Sequence, residues 1–516
     1  MRRLILWWSL ATAGTIFLVL SAVLAHQLQP EQLRTRIINV LAYRFNADVT
    51  LEHLEMTLIP RPRVTGSGLV IRVRNREDLP PFITLEKFQM AVGLMSITRR
   101  HVNTIHVDGL RIHVPPKEAR KTLGRDDAAP DDVDPEDFLS PSKVIVEHLI
   151  THDAELSFVS TKPNKRPLMF AIRDLELDDL GFDRAIPFHA RLTNPLPTGL
   201  VDTRGSFGPL VKDDPAETPV KGQYVFTDAD LSTIDGINGT LSSIGSFDGR
   251  ISAIEANGTT KTPNFNLALG GRPVSLDTTF AATIDGSDGT VILRKVDAKL
   301  QNTSLTVTGA VTNLPGPAHH SIDLDVSVTQ GRIEDFLTLL SSKAPVARGK
   351  VVLRTRVHLP PGKSSVLSRI VLTGQFALAG TRFRDQFQEK IEELSRRSQG
   401  RGKDDPPGNV ASNLRGKFSL ARGTLKVPTV TFEVPGATVQ LDGSSDLKAH
   451  TMDLTGTLQM EATVSKAVGG FKSVFLKLAD PFFRKNGMGA VVPIKIRGTF
   501  DAPQVGLNLR GGKKGN

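Results

Sequence analysis

From Val49 onward the chain alternates apolar and polar residues with period two, and Asp-Gly pairs recur along it. Val49 and Leu51, Ile105 and Val107, then Leu110, Ile112 and Val114 follow this rhythm. Strict alternation puts one set of side chains on one face of a strand and the other set on the opposite face. Asp108-Gly109 lies between two such runs, and Asp235-Gly236, Asp248-Gly249, Asp285-Gly286, Asp288-Gly289 and Asp442-Gly443 repeat the device. Asp-Gly favours tight hairpins, so the pattern predicts an antiparallel meander. The 44 Gly and 32 Pro residues among 516 agree with a chain of many strands and turns.

The C-terminal part carries the clearest strands. Leu425, Val427, Val430, Phe432 and Val434 form one apolar row, and Val439 and Leu441 the next. Leu454, Leu458, Met460, Ala462 and Val464 follow, then Val492, Ile494 and Ile496, then Val505, Leu507 and Leu509. Between them stand Thr431, Glu433, Gln440, Asp442, Thr457, Gln459, Lys495 and Arg497. Such a sheet is dry on one face and wet on the other, and the dry face must meet a second sheet, helices or a ligand. The candidate covering helices are few: Arg332–Ser341 with Ile333, Phe336, Leu337 and Leu340; Gln386–Arg397 with Phe387, Ile391 and Leu394; and Lys466–Lys485 with Phe471 and Phe475. Sandwich packing is the ordinary outcome of alternating strands, and a curved trough open to lipid is the other.

A weak repeat reuses a residue followed by Gly within strands: Arg204-Gly205-Ser206-Phe207, Asn238-Gly239, Thr308-Gly309, Thr373-Gly374-Gln375-Phe376, Arg415-Gly416-Lys417-Phe418, Thr455-Gly456 and Arg497-Gly498-Thr499-Phe500. Its spacing is irregular, so no solenoid period follows.

Ahead of the strands, Leu4–Leu24 is an uncharged apolar run, close to the ~20 residues a helix needs to cross ~30 Å of hydrocarbon. Arg2 and Arg3 precede it and the next basic residue after it is Arg34, so the positive-inside bias keeps the N-terminus cytoplasmic and exports the rest. Trp7 and Trp8 then fall at the cytoplasmic interface. A cleaved signal peptide ending near Ser21–Ala25 is the competing reading, and it also exports the chain. Pro30–Phe45 predicts a helix opened by Pro30, with Leu33, Ile37, Val40 and Leu41 on one face. Its Arg34 and Arg36 suit anionic head groups, or the helix packs on its own domain as a linker. The divisions expected are an anchor at 1–25, an N-terminal β region at 26–119, an acidic linker at 120–143, a middle β region at 144–345 and a C-terminal β region at 346–516. The linker's clustered Asp residues must stay solvated and lack the Gly of a hand-type calcium loop.

Chemistry is not evident. Cysteine is absent, which removes disulfides, thiolate metal sites and a thiol nucleophile. The 12 His include no His-Glu-x-x-His run. His148 and His152 are four apart, suited to a metal only if that segment is helical, and otherwise polar surface residues. Pro361-Gly362-Lys363-Ser364 imitates the end of a phosphate loop, but Val357 stands where its first Gly belongs. Gly245–Gly249 has Phe247 where a nucleophile elbow needs Ser. The expectation is no enzyme, no catalytic or metal site and no cofactor. The formal charge of +10 is spread along the chain, which argues against a nucleic-acid partner.

Three segments resemble the AsmA-like family of diderm bacterial envelope proteins. These are the apolar N-terminal run with its following helix and the stretch Ala47–Pro62 ending in Pro60-Arg61-Pro62; Phe82–Val114, with Leu94–Ile97; and Val492–Pro503, which is similar to the family's closing strand pair. The middle of the chain agrees only in style, and the family has no universal catalytic residue to carry over. The resemblance implies a mainly β protein: an N-terminal transmembrane helix followed by an elongated, curved antiparallel β-sheet, an open or taco-like groove, with a few amphipathic helices. It shifts the expectation from sandwich to groove. It implies an inner-membrane, single-pass protein with its bulk in the periplasm, binding or transferring phospholipid and supporting outer-membrane homeostasis. The implied partners are the phospholipid bilayer, a phospholipid ligand and an envelope protein. Leu425, Val427, Phe432, Leu454, Leu458, Met460, Val464, Ile494 and Ile496 are the candidate groove residues. Rival expectations are an assembly factor for outer-membrane proteins and a β scaffold without ligand.

Overall fold

The computed structural model describes residues 30–45, 47–57, 63–91, 101–114, 145–158, 168–180, 184–195, 197–209, 211, 217–234, 236–268, 270–285, 290–313, 320–401, 410–461, 490–500 and 502–508. The apolar run Leu4–Leu24, the acidic stretch 120–143 and the expected helix 466–485 lie outside them. No helix among the described residues is long and apolar enough to cross a membrane.

The protein is mainly β, with 25 strands and few helices among the described residues. Its contacts group into two units: 1–233 with 240–260 and 280–291, and 234–239 with 261–279 and 292–516.

In the first unit, helix α1 (Pro30–Phe45) begins at the proline that fits a first helical turn. It packs on β1 (Ala47–Thr57), and Ile37 and Leu41 are fully buried. β1, β2 (Arg63–Val73) and β3 (Ile83–Ala91) form an antiparallel meander. β4 (His101–Asp108) and β5 (Arg111–Val114) both pair antiparallel with β3, and both pair parallel with β6 (Ile145–Phe158). The sheet is therefore mixed, which corrects the purely antiparallel expectation. β7 (Leu168–Leu180), β8 (Ile186–Pro195), β9 (Thr198–Phe207), β10 (Pro219–Asp230) and β12 (Thr240–Arg250) continue antiparallel.

The Asp-Gly pairs also need correction. Asp108-Gly109 makes no hairpin: β4 and β5 follow one line along β3, and Gly109, at φ +64°, kinks the chain between them. Asp248-Gly249 lies inside β12, and Asp442-Gly443 inside β22 (Ala437–Asp446). At Gly443 a Cβ would stand 2.3 Å from the Asp453 carbonyl, so glycine there permits close strand approach rather than a turn. The tight turns fall elsewhere. Arg422-Gly423, both at positive φ, joins β20 (Ser412–Ala421) to β21 (Thr424–Val434), and Pro435-Gly436 joins β21 to β22.

In the second unit, β16 (Thr303–Asn313), β17 (His320–Arg332), β18 (Ala347–Leu359), β19 (Val371–Phe383), β20, β21, β22, β23 (Thr451–Met460), β24 (Ala490–Thr499) and β25 (Pro503–Leu507) pair antiparallel in chain order. β11 (Ile237–Asn238) pairs with Asn266 and Leu267 at the end of β13 (Ala253–Leu267), and β14 (Val274–Ile284) and β15 (Val291–Leu300) follow in the chain. Helix α2 (Ile333–Leu340) follows β17, and α4 (Asp385–Ser398) follows β19; a single turn, α3 (Val366–Arg369), precedes β19. In α2 Asp335 and Leu339 are buried, whereas Leu340 is 55% exposed.

The Gly-containing repeat acquires a packing reason. Gly374 is registered opposite Phe418 and Phe376 opposite Gly416, so two Gly-x-Phe strands interlock. Gly66 opposite Phe88 and Gly222 opposite Phe247 use the same pairing. At Gly66, Gly222 and Gly374 the partner's ring lies where a Cβ would stand and fills the space that the glycine leaves.

Candidate functional site

The two units treat the same alternating pattern differently. In the first unit the buried apolar residues of α1 and of β1 to β10 merge into one contiguous cluster, with Leu51, Leu69, Ile71, Ile83, Phe88 and Val107 at most 1% exposed. In the second unit two small clusters form, Val274, Leu300 and Leu339 in one and Val328, Val351 and Leu378 in the other, and Leu420, Val430, Val434, Val439 and Ile494 are buried outside them.

The register shows which side chains share a face. Ile322, Leu324 and Val326 on β17 face Leu359, Val357 and Thr355 on β18; Leu353 faces Phe376 on β19; Phe376 faces Gly416 on β20. Phe432 on β21 stands opposite Leu414 and Val439, Leu458 on β23 opposite Val439 and Val492, and Leu454 opposite Ile496. A bulge between Val427 and Val430 restores the face after Pro428, so Leu425 and Val427 stay in the row. Of the expected groove residues, Leu425, Val427, Phe432, Leu454, Leu458, Met460, Ile494 and Ile496 thus lie on one apolar face, and Val464 lies outside the described residues.

Cover on this face is graded. The end at which α2 and α4 attach is buried: Val328, Val351, Leu378, Val434 and Ala437 are all under 10% exposed. Ile333 and Phe336 of α2 pack there. α4 is held by Ser395 Oγ donating to the Pro435 carbonyl at 2.8 Å and by Gln388 Nε2 donating to the Val410 carbonyl at 2.8 Å. Away from the helices, Leu353, Leu372, Phe376, Phe418, Leu425, Leu454 and Leu458 are only half-buried. Nothing among the described residues closes over them completely.

The opposite face is polar and neutralises itself across strands. Arg356 pairs with Asp325 at 3.0 Å, His358 with Asp323 at 2.6 Å, and Arg415 with Glu433 at 2.8 Å. Lys495 and Arg497 converge on Asp453 at 3.4 and 3.2 Å. The hydrogen bond from Arg497 holds the Asp453 carboxyl below its usual range.

The remaining candidates have structural roles. Arg34 Nε donates to the Leu51 carbonyl at 2.6 Å, which ties α1 to β1, and its Nη1 meets Glu31 of the same helix at 3.3 Å. Arg36 lies on α1, its side chain outside the described set, as are Arg2, Arg3, Trp7 and Trp8. His148 and His152 lie on strand β6, four residues or ~13 Å apart along it, and pair separately with Asp178 and Asp174. A shared metal is excluded at that span, and no group of metal-ligating side chains occurs among the described residues. No protein-family model matches the chain, and no curated protein aligns with it.

Proposed function

We propose that this chain is a membrane-anchored periplasmic protein of AsmA-like type that binds phospholipid acyl chains along the apolar face of its second unit and supports outer-membrane homeostasis without catalysis. The observation that carries the reading is the register-continuous apolar row from Ile322 to Ile496, in which Leu353, Phe376, Phe418, Leu454 and Leu458 stay half-buried among the described residues, while Leu51, Leu69, Ile71, Ile83 and Phe88 of the first unit are at most 1% exposed. Each CH₂ taken out of water gains about 0.8 kcal/mol. An acyl chain along this row covers the sheet's apolar side chains and removes its own methylenes from water in one step. Polar strand residues on the far face keep that side solvated. The run Leu4–Leu24 serves as the anchor at the inner membrane, and phospholipid is the ligand.

A photoreactive amino acid at Leu458 or Ile494 of the full-length chain in membranes tests this. Phospholipid adducts are the expected result. Labelling confined to protein, whether neighbouring strands or residues 466–485, sinks the proposal and identifies the face as an internal core.

A further inference from the structure

At the end of β17, β18 and β19 from which α2 leaves, cations oppose cations. Arg332 is registered opposite Lys350, and Arg348 opposite Arg382. Directly opposed side chains on an antiparallel ladder stand about 4.5–5.5 Å apart at Cβ, and like charges there are destabilising. All four are exposed, and among the described residues none of their side chains has a carboxylate within ion-pair range. Farther along the same strands Arg356 and His358 do face acids, so the imbalance is local.

The backbone opens at the same place. Bulges interrupt the pairing between Val328 and Gly331, between Arg348 and Lys350, and between Leu378 and Thr381. A cleft of about 420 Å³ results, lined by Arg332, Glu334, Gly349, Lys350, Ala379 and Gly380. That volume falls within the ~300–1,000 Å³ of small-molecule sites. Its floor is made of small residues. Glu334, its carboxylate, accepts the Gly349 N–H at 3.2 Å and is engaged by backbone. Beside Gly349, buried Thr381 keeps a hydroxyl without a hydrogen-bond partner.

We infer that this cleft binds a phosphoryl anion, with the Arg332 guanidinium and Lys350 ammonium on its oxygens and Arg348 and Arg382 supplying the surrounding field. Guanidinium offers parallel N–H donors that match two phosphoryl oxygens, and ammonium adds a point charge. A bound anion converts two repulsive pairs into bridged ones. The phosphoryl group belongs either to a lipid head group or to free phosphate. None of the candidate groove residues lines the cleft, so it stands or falls independently of acyl-chain binding.

The test is calorimetric titration of the full chain in non-ionic detergent, at constant ionic strength set with chloride. Inorganic phosphate and dihexanoylphosphatidylglycerol are titrated separately. Saturable binding is expected, weakened ~10-fold or more in the Arg332→Gln/Lys350→Gln variant, whose ligand-free melting temperature rises because one repulsive pair is gone. Arg332→Lys/Lys350→Arg should retain affinity, and Arg356→Gln, outside the cleft, should leave it unchanged. Equal affinity for both probes assigns the phosphoryl group alone, and tighter binding of the lipid that is lost in Arg332→Gln/Lys350→Gln assigns a head group. Absence of saturable binding by either probe overturns the proposal, as does unchanged affinity in Arg332→Gln/Lys350→Gln. If that variant does not fold, Arg348→Gln/Arg382→Gln decides by the same criterion.

Discussion

Phe418 lies across Gly374 on the adjacent strand: the two are registered partners, and a Cβ on Gly374 would stand 2.8 Å from Phe418 Cζ and 2.5 Å from the Arg354 carbonyl. Gly374→Ala must therefore displace a ring and a backbone, and overpacking of this kind costs about 1–3 kcal/mol. Denaturant melts of the full chain in detergent should show that loss. Gly506→Ala, where an added Cβ meets nothing within 4 Å, should melt like the parent.

Leu454 and Gln459 stand on opposite faces of β23. A carboxylate facing hydrocarbon costs several kcal/mol, so Leu454→Asp should lower phospholipid co-purifying with the protein ~10-fold or more. Gln459→Asp should leave it unchanged. Lipid phosphorus per mole of purified protein is the measurement, with circular dichroism to confirm the sheet.

Asp335 fastens α2 to the sheet. Its buried carboxylate accepts from Thr303 Oγ1 at 2.7 Å and from the Asn302 N–H at 3.1 Å. Asp335→Ala leaves both donors without that acceptor and should destabilise the second unit by about 1.5–3 kcal/mol. Hydrogen exchange should show the loss at Asn302 and around α2, with β1 to β3 unaffected.

His113 gives the first unit an acid dependence. Burial lowers its pKa from 6.5, with nearby Arg111 acting in the same direction and Glu155 opposing both; its Nδ1 lies 2.6 Å from Ser157 Oγ. The unfolded chain therefore binds the proton more readily than the fold does. Its contribution to stability is complete above about pH 6.5 and declines as the pH falls toward the lower folded value. His113→Gln should flatten the melting-temperature profile below pH 6.5.

Legibility in the sequence followed the range of the interactions. The period-two rows survived intact in β21 to β24 because side-chain direction along a strand depends on the backbone alone. Helix α1 was readable over its full length from Pro30 and the spacing of Ile37 and Leu41. Turn positions were less legible: Asp442-Gly443 carries a hairpin signature, yet the turns formed at Arg422-Gly423 and Pro435-Gly436. Glycine serves both a turn and a close approach of two strands, and only the partner strand decides which. The basic cleft left no local signal, since Arg332, Lys350 and Arg382 come from three strands and become neighbours only through pairing.

The sequence by itself determined a β protein with one apolar and one polar face per strand, because alternation is a property of each strand alone. It could not determine that the chain doubles into a mixed sheet at β6, since parallel pairing needs a crossover whose destination is not written locally. Nor could it say how deeply each apolar face is buried. The alternation of β1 and β23 reads alike, but burial depends on what comes to lie opposite. α1 and the surrounding strands bury Leu51, Ile71 and Phe88 in the first unit, while among the described residues of the second α2 and α4 attach at one end and Leu353, Leu454 and Leu458 stay half-buried.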